Sequence, residues 1–279
     1  MTTVKHTALE QRDAAGVFVR TEQGDVHVVV DGDPAHPAVC CIHGVPGSAR
    51  DLRALGQELA TQGLCAVRVD APGFGRSARG RTLLTTPAAR AALLVEVMAA
   101  RGHRSFAVVG HSFGGTAALS TAALFPAHVT ALVLINSIGV TRHHGMVLPH
   151  EITRQARRFT HLPVVGPRIV AAWQSAMQGL GQRADDVLDA DDVDAHTSLV
   201  GGLDFADLRV FAQRVRAPAL VVSAADDRVV EPAVSFTLAR ALSSTTLTSH
   251  RHCGRGGHAL QKHEAPAIAA WLRARLDGV

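Results

Sequence analysis

Apolar and polar positions along this chain form an alternating series of strand-like and helix-like patterns. Residues 17–20 and 26–30, on either side of the turn Gln23-Gly24-Asp25, predict a short antiparallel pair of strands. Residues 38–42 form a continuous apolar run, which is typical of a strand buried on both faces. The other predicted strands are residues 65–69, 105–110, 129–135 and 219–223, with an edge strand at 245–250.

Helical patterns separate these strands. They cover residues 51–61, 87–100, 114–124, 231–242 and 258–276. Strands that alternate with helices indicate βαβ units, so we predict an α/β fold with a mostly parallel, eight-stranded sheet flanked by helices. Between Ser137 and about Leu208 the pattern contains helix-like stretches but no convincing strand. We therefore predict a core of residues 1–137 and 208–279, interrupted by a helical cap, or lid, of residues 138–207.

Composition excludes several classes of protein. The chain has 279 residues, of which 47% are hydrophobic and 19% charged, so it can bury a sizeable core and is not disordered. It contains no tyrosine, which excludes a tyrosine acid, base or oxyanion donor. The formal net charge is +4, but the basic residues are scattered and aromatic residues make up only 4%. We therefore expect no nucleic-acid partner.

Cysteines, histidines and hydropathy give no sign of a metal, a disulfide framework or a membrane span. The four cysteines lack Cys-x-x-Cys spacing. The groups His143-His144 and His250, His252 with Cys253 lack the helical spacing of a zinc site, and we interpret them as surface histidines. There is no apolar signal-peptide segment at the beginning of the chain and no apolar run long enough to span a bilayer. We expect a cytoplasmic protein without cofactors, as a monomer or homodimer.

A Gly-x-Ser-x-Gly motif stands where a predicted strand meets a predicted helix. Ser112 lies between Gly110 and Gly114, after the apolar strand at 105–110 and before the helix at 114–124. A serine on such a sharp turn projects at the carboxyl edge of the sheet, and small neighbours let the strand and helix approach each other. A serine hydroxyl is a weak nucleophile unless a base and an orienting acid assist it. The context therefore predicts a nucleophilic serine.

An acid and a histidine follow in the order that this topology requires. The strand at 219–223 leads to Asp226 and Asp227, and an acid at the end of a strand lies on the same edge as Ser112. His258 follows a glycine-rich loop just before the last helix. The order Ser112, acid, His258 is the one expected on such a sheet.

Together these features resemble the α/β-hydrolase fold superfamily over about residues 15–277. Residues 43–47 (HGVPG) are similar to its oxyanion loop, and residues 70–77 (DAPGFGRS) to its D-x-x-G-x-G-x-S loop. Residues 110–115 (GHSFGG) are similar to its nucleophile elbow, while Asp227 and His258 match its acid and base positions. The acid pattern begins with glycine, and Ala224 replaces it here, which still leaves Asp227 rather than Asp226 as the match.

The resemblance implies further roles. The backbone N–H groups of Val45 and Phe113 would form the oxyanion hole, and His43 would brace the loop from below, with His43 and Gly44 also beside the substrate. The segment Arg255-Gly256-Gly257 ahead of His258 makes the base loop looser than usual. His263 could compete with His258 as the base, but we place it inside the terminal helix.

The expected function is hydrolysis of a carboxylic ester, thioester or lactone of a small to medium, partly apolar molecule. Ser112 would carry the acyl group, His258 would act as base and then acid, and Asp227 would hold the imidazole. Apolar lid residues, Trp173 and Met177 among them with residues 162–165 and Leu180, would form a ceiling over the substrate or pack the lid onto the core. Two alternatives stay open: non-hydrolytic or C–C bond chemistry with the same residues (perhydrolase, lyase, C–C hydrolase), and a ligand-binding receptor with little turnover.

Overall fold

A computed structural model describes residues 16–77, 86–146, 158–179, 189–243 and 247–276 of the chain. Eight strands form one sheet. They are β1 (Val17–Thr21), β2 (Gly24–Asp31), β3 (Ala38–Ile42), β4 (Cys65–Val69), β5 (Phe106–His111), β6 (Val129–Ile135), β7 (Ala219–Ala224) and β8 (Thr248–Cys253). The helices are α1 (Arg53–Thr61), α2 (Pro87–Ala100), α3 (Gly114–Leu124), α4 (Gly166–Gly179), α5 (Ala190–Gly201), α6 (Phe205–Arg214), α7 (Pro232–Ser243) and α8 (Ala265–Leu276).

The sheet is mostly parallel, as predicted. Its strand order is β1-β2-β4-β3-β5-β6-β7-β8, and only the pairs β1–β2 and β2–β4 are antiparallel. Strands β3, β4, β5 and β7 are buried at every position, because helices cover both faces of the sheet. One apolar core packs α2, α3, α6 and α7 on one face, and a second packs α1 and α8 on the other. The carboxyl ends of β5, β6 and β7 therefore meet at one edge, which is where this topology binds ligands.

Two predicted elements differ from the structure by three residues or more at one end. The edge strand β8 begins and ends three residues later than the predicted 245–250, because its pairing with β7, from Ala219–Thr248 to Ala224–Cys253, sets its register; Thr245 lies outside the described residues. The helix predicted from residue 258 begins only at Ala265, after a short 3-10 turn. Pro266 lies in the first turn of α8, the part of a helix that tolerates proline. His258 is consequently in a turn, and His263 lies before α8 rather than inside it.

The segment between β6 and β7 is helical wherever the structure describes it. Helices α4 and α5 pack against each other, and no strand occurs among the described residues between Ile135 and Ala219. Helix α6 crosses the predicted boundary at residue 208 and packs against α3 and α7 of the core. The division into core and cap stays a prediction. No helix in the described ranges combines the length and apolar character that a membrane span needs.

Candidate active site

Ser112 occupies the sharp turn between β5 and α3. Its φ of 50° lies in the left-handed region, which is strained for a residue with a side chain. The turn is held by the backbone of the neighbouring strand: the Ser112 N–H donates to the Ile135 carbonyl at 3.0 Å, and the Ser112 carbonyl accepts from the Ile138 N–H at 3.1 Å. The hydroxyl is thereby presented at the carboxyl edge of the sheet, as the motif predicts.

Gly110 is the glycine on which the close approach of β5 and α3 depends. A Cβ atom at this position would lie 2.5 Å from the Gly115 Cα and 2.7 Å from the Gly114 carbonyl oxygen. Both neighbours are backbone, so the clash cannot be relieved by turning a side chain. We expect Gly110→Ala to lower the free energy of unfolding by at least about 2 kcal/mol. Urea denaturation followed by circular dichroism measures this change.

Gly201→Ala is the matched control for that substitution. Gly201 is the last residue of α5, and a Cβ atom there would have no neighbour within 4 Å. Alanine favours helix more than glycine does, so this variant should be neutral or more stable by up to about 1 kcal/mol. Equal stability of the two variants would contradict the packing of β5 against α3.

The structure brings Ser112, His258 and Asp227 into one hydrogen-bonded line. The distance between the Ser112 Oγ and the His258 Nε2 is 2.9 Å, and that between the His258 Nδ1 and the Asp227 Oδ2 is also 2.9 Å. The other oxygen of Asp227 accepts from the N–H groups of Val229 and Val230 at 2.8 and 3.0 Å. A carboxylate only accepts, so the His258 Nδ1 carries the proton and Nε2 is left to accept from the serine hydroxyl.

The two adjacent aspartates have different places in this arrangement. The Asp227 side chain is fully buried and contacts the ring of His258. Asp226 is exposed, yet its Oδ1 accepts from the Gly257 N–H at 2.8 Å, and this hydrogen bond lowers the pKa of Asp226. Only Asp227 is positioned to orient the imidazole, while Asp226 contacts the backbone of the loop that carries it.

Asn136 is a residue of the site that sequence reasoning missed. It follows β6 directly, has a φ of 41°, and accepts from the Ala224 N–H through Oδ1 at 3.1 Å. Its Nδ2 donates to the carbonyls of Gly257 and His258 at 2.8 and 3.1 Å. A polar side chain directly after a buried strand was an available signal, because that edge of the sheet binds ligands. The loop predicted to be loose is therefore tied to two strands.

His111 also holds the His258 loop. Its Nε2 donates to the His258 carbonyl at 2.8 Å, and burial lowers the pKa of His111 to about 3, so the ring stays neutral. Its side chain bonds the loop of the base rather than Ser112.

The loop of residues 43–47 lies across the opening of the elbow. His43 is fully buried beneath it, where Nδ1 donates to the Gly44 carbonyl at 2.5 Å and Nε2 accepts from the Ala71 N–H at 2.9 Å. Val45 and Phe113 line the same cavity as Ser112, and neither of their N–H groups donates to another residue in the described ranges. His43 therefore braces the loop and does not line that cavity, whereas Gly44 does.

A cavity of about 180 Å³ lies beside Ser112. Its polar lining includes Ser112, His258, His111, His143, His196, Asp51, Gln261 and Lys262. Its apolar lining includes Val45, Pro46, Phe113, Ile138, Met146, Met177, Val200, Leu203, Val229 and Ala259. The cavity is mostly apolar with a few polar groups, which is typical of a small-molecule site.

The predicted apolar ceiling is only partly present. Met177 is buried against the cavity, whereas Trp173 lies behind His196 and does not line it. Leu162, Val164 and Val165 are exposed, so the structure does not support their part in the ceiling. Leu180 lies outside the described residues. Val200 of α5 and Leu203 just after it line the cavity instead.

The histidine groups do not form a metal site in the described part of the chain. His250 and His252 both hydrogen bond the Ser223 Oγ at 2.9 Å. His144 is exposed, as predicted, but His143 lines the cavity, so its interpretation as a surface residue is wrong. The fold turns the chain after β6 across the edge of the sheet, and local sequence carries no signal for that turn.

This chain is similar to known hydrolases both in sequence and in structure. The sequence model of the alpha/beta hydrolase fold matches residues 37–264. The "Putative carbamate hydrolase RutD" of Variovorax paradoxus is 29% identical over 273 residues, which cover 91% of this chain and 94% of that protein. Among solved structures, the enol-lactonase from Burkholderia xenovorans has a TM-score of 0.74 at 17% identity and covers 94% of this chain and 100% of its own. The thioesterase domain from the curacin biosynthetic pathway has a TM-score of 0.67 at 17% identity, covering 92% and 98%.

Proposed function

The chain belongs to the α/β-hydrolase fold family, and from that membership we propose that it is a serine hydrolase of carboxylic esters, thioesters or lactones. Its relatives in sequence include hydrolases, which supports the reaction class. The observation that carries the proposal is the line of two 2.9 Å hydrogen bonds from Ser112 through His258 to Asp227. A serine, a base and a buried acid in this order form a catalytic triad, in which the acid orients the base and the base activates the serine hydroxyl.

Acylation uses the proton positions already described. The His258 Nε2 takes the hydroxyl proton while the Ser112 Oγ attacks the carbonyl carbon of the substrate. The carbonyl oxygen becomes an oxyanion, which the N–H groups of Val45 and Phe113 stabilise from the rim of the cavity. The imidazolium, held by Asp227, then gives its proton to the leaving alcohol or thiol as the carbon–oxygen or carbon–sulfur bond breaks.

Deacylation repeats the steps with water. Water attacks the acyl carbon, His258 accepts one of its protons, and the collapse of the second oxyanion returns that proton to the Ser112 Oγ. The products are a carboxylic acid and an alcohol or thiol, and the enzyme is regenerated. Both attacks need the tautomer of His258 that carries its proton on Nδ1 and accepts through Nε2, and the Asp227 carboxylate selects this tautomer because it accepts from Nδ1.

The cavity supports a small, partly apolar substrate. Its volume of about 180 Å³ and its lining by Ile138, Met146 and Met177 suit a short acyl chain better than a long one. Described residues between positions 138 and 207 contribute much of this wall, Val200 and Leu203 among them, so we propose that this segment acts as the lid over the substrate. The Variovorax relative is named a putative carbamate hydrolase, so a carbamate is a further substrate to assay.

The experiment is an assay of graded substrates on the purified wild type. We expect p-nitrophenyl esters of two to six carbons to be cleaved faster than those of ten or more, because the cavity is small. Thioesters, lactones and a carbamate in the same assay identify the preferred acyl group. A fluorophosphonate should label Ser112 covalently, which tests the nucleophile without knowledge of the substrate.

The outcome also separates the other two hypotheses. A folded protein that neither cleaves any of these compounds nor is labelled at Ser112 is not a serine hydrolase, and a receptor role would then be favoured. Labelling of Ser112 without cleavage would instead favour non-hydrolytic or C–C bond chemistry with the same three residues.

A further inference from the structure

Two histidines contributed by the segment between β6 and β7 lie in the wall of the cavity but take no part in the proposed mechanism. His143 follows β6, and His196 lies on α5. They are near enough for the charge of His143 to affect the protonation of His196. Each has one ring nitrogen engaged by a group whose hydrogen-bonding role is fixed, so the chemistry of the other nitrogen can be deduced.

His196 presents a donor to the cavity. The indole N–H of Trp173 can only donate, and it lies 3.1 Å from the His196 Nδ1, which must accept. Burial lowers the pKa of His196 to about 4, so the ring is neutral at pH 7 and carries its proton on Nε2. That N–H has no partner among the described residues. Trp173, predicted as part of the ceiling, instead sets the tautomer of the residue in front of it.

His143 has the opposite arrangement. Its Nδ1 lies 3.0 Å from the Val229 carbonyl, which can only accept, so Nδ1 carries the proton. Burial also lowers the pKa of His143, and the neutral ring therefore has a lone pair on Nε2. The Nε2 atom is buried and has no hydrogen-bond partner in the described part of the chain. A buried acceptor without a partner is costly, and a ligand that donates a hydrogen bond to it would remove that cost.

A donor and an acceptor on two neutral rings in the lining of one cavity select a particular ligand chemistry. Apart from the histidines, the lining residues with ionisable side chains are Asp51 and Lys262. They lie in other parts of the chain than His143 and His196. A carboxylate or an ammonium beside the two neutral rings would lose its hydration without a counterion there. A hydroxyl is uncharged and both donates and accepts.

We propose that His143 and His196 form a subsite for a hydroxyl group of the substrate, with the His196 Nε2–H donating to its oxygen and the His143 Nε2 accepting its hydrogen. This inference rests on the proposed function and narrows its substrate class to hydroxylated esters, thioesters or lactones. The two histidines act on specificity and leave the bond-breaking steps to Ser112, His258 and Asp227.

The test compares esters that differ only by a methyl or a hydroxyl group. On the alcohol side the pair is propyl butyrate and 2-hydroxyethyl butyrate, and on the acyl side it is ethyl 3-methylbutyrate and ethyl 3-hydroxybutyrate. A pH-stat measures the acid released and gives kcat and KM. We expect the wild type to prefer the hydroxylated member of at least one pair by about tenfold in kcat/KM.

The variants keep the structural hydrogen bonds and delete only the nitrogen that meets the ligand. In His196→Asn the Oδ1 atom can still accept from Trp173, and in His143→Asn the amide N–H can still donate to the Val229 carbonyl. Each should lower kcat/KM for the preferred hydroxylated ester by about tenfold, through KM, while the apolar partner stays within about twofold. His144→Asn, at the exposed neighbour of His143, should change neither.

Circular dichroism and a thermal melt show whether each variant is folded. A further variant, Trp173→Phe, tests the same subsite while both histidines stay in place. Trp173→Phe removes the N–H that sets the His196 tautomer and should reduce the preference by a smaller factor. The inference is overturned if the wild type shows no preference in either pair, or if the variants lower both members of a pair equally. Absence of all ester cleavage and of Ser112 labelling would instead refute the proposed function itself, and this inference with it.

Discussion

Ser112→Ala should lower kcat for the best ester substrate by about four to six orders of magnitude. Alanine removes the Oγ atom that lies 2.9 Å from the His258 Nε2, so no acyl-enzyme can form. The remaining rate would come from the oxyanion N–H groups and from substrate binding alone. Labelling by a fluorophosphonate should disappear together with turnover. An unchanged melting temperature would show that the variant is folded and that the loss is specific to the Ser112 hydroxyl.

Ser120→Ala is the matched control for this loss. Ser120 is also a buried serine of the same strand–helix unit, but its hydroxyl donates to the Thr116 carbonyl within α3. We expect its kcat to stay within about twofold of the wild type, since the helix retains its backbone hydrogen bonds. Retention of more than about 1% of wild-type kcat by Ser112→Ala would rule out Ser112 as the nucleophile.

Asp227→Asn should lower kcat by about three to four orders of magnitude with little change in KM. The amide can keep the shape of the carboxylate and accept from the N–H groups of Val229 and Val230 through Oδ1. Its NH2 group would then face the His258 Nδ1 and donate to it. The imidazole would carry its proton on Nε2, the wrong tautomer to accept from the Ser112 hydroxyl.

Asp226→Asn provides the neighbouring control. Its Oδ1 can still accept from the Gly257 N–H, so the loop that carries His258 keeps its contact. We expect a loss of no more than about tenfold, since the charge of Asp226 is exposed and screened by solvent. An equal loss in both variants would show that the orienting acid has been assigned to the wrong aspartate.

Sequence patterns were sufficient to predict the fold because each central strand is a short, mainly apolar stretch that can be recognised without its neighbours. Strands β3, β4 and β6 have the bounds that the pattern predicts, since helices cover both faces of the sheet and nearly every residue of these strands is buried. The prediction of a mostly parallel, eight-stranded sheet is confirmed. The prediction of the edge strand β8 was wrong by three residues. This strand pairs on one side only, and its mostly polar sequence has no clear apolar pattern that would fix its bounds.

The candidate nucleophile, acid and base could also be proposed from sequence, because each belongs to a short motif whose chemistry depends on local geometry. Ser112 needs the glycines beside it, and the acid must follow a strand. The choice between Asp226 and Asp227 is supported by the tertiary structure, where only Asp227 is buried against the ring of His258.

By itself, the sequence determined the α/β alternation, the strained turn at Ser112 and the order of the three proposed catalytic residues along the chain. Only the tertiary structure decided what surrounds them. Asn136 reaches the carbonyl of His258 across 122 positions of sequence, and His111 reaches it across 147. His143 and His196 line one cavity although the first follows β6 and the second lies on α5. Contacts of this kind join side chains that no local pattern relates, because the packing of the whole domain brings them within hydrogen-bond distance.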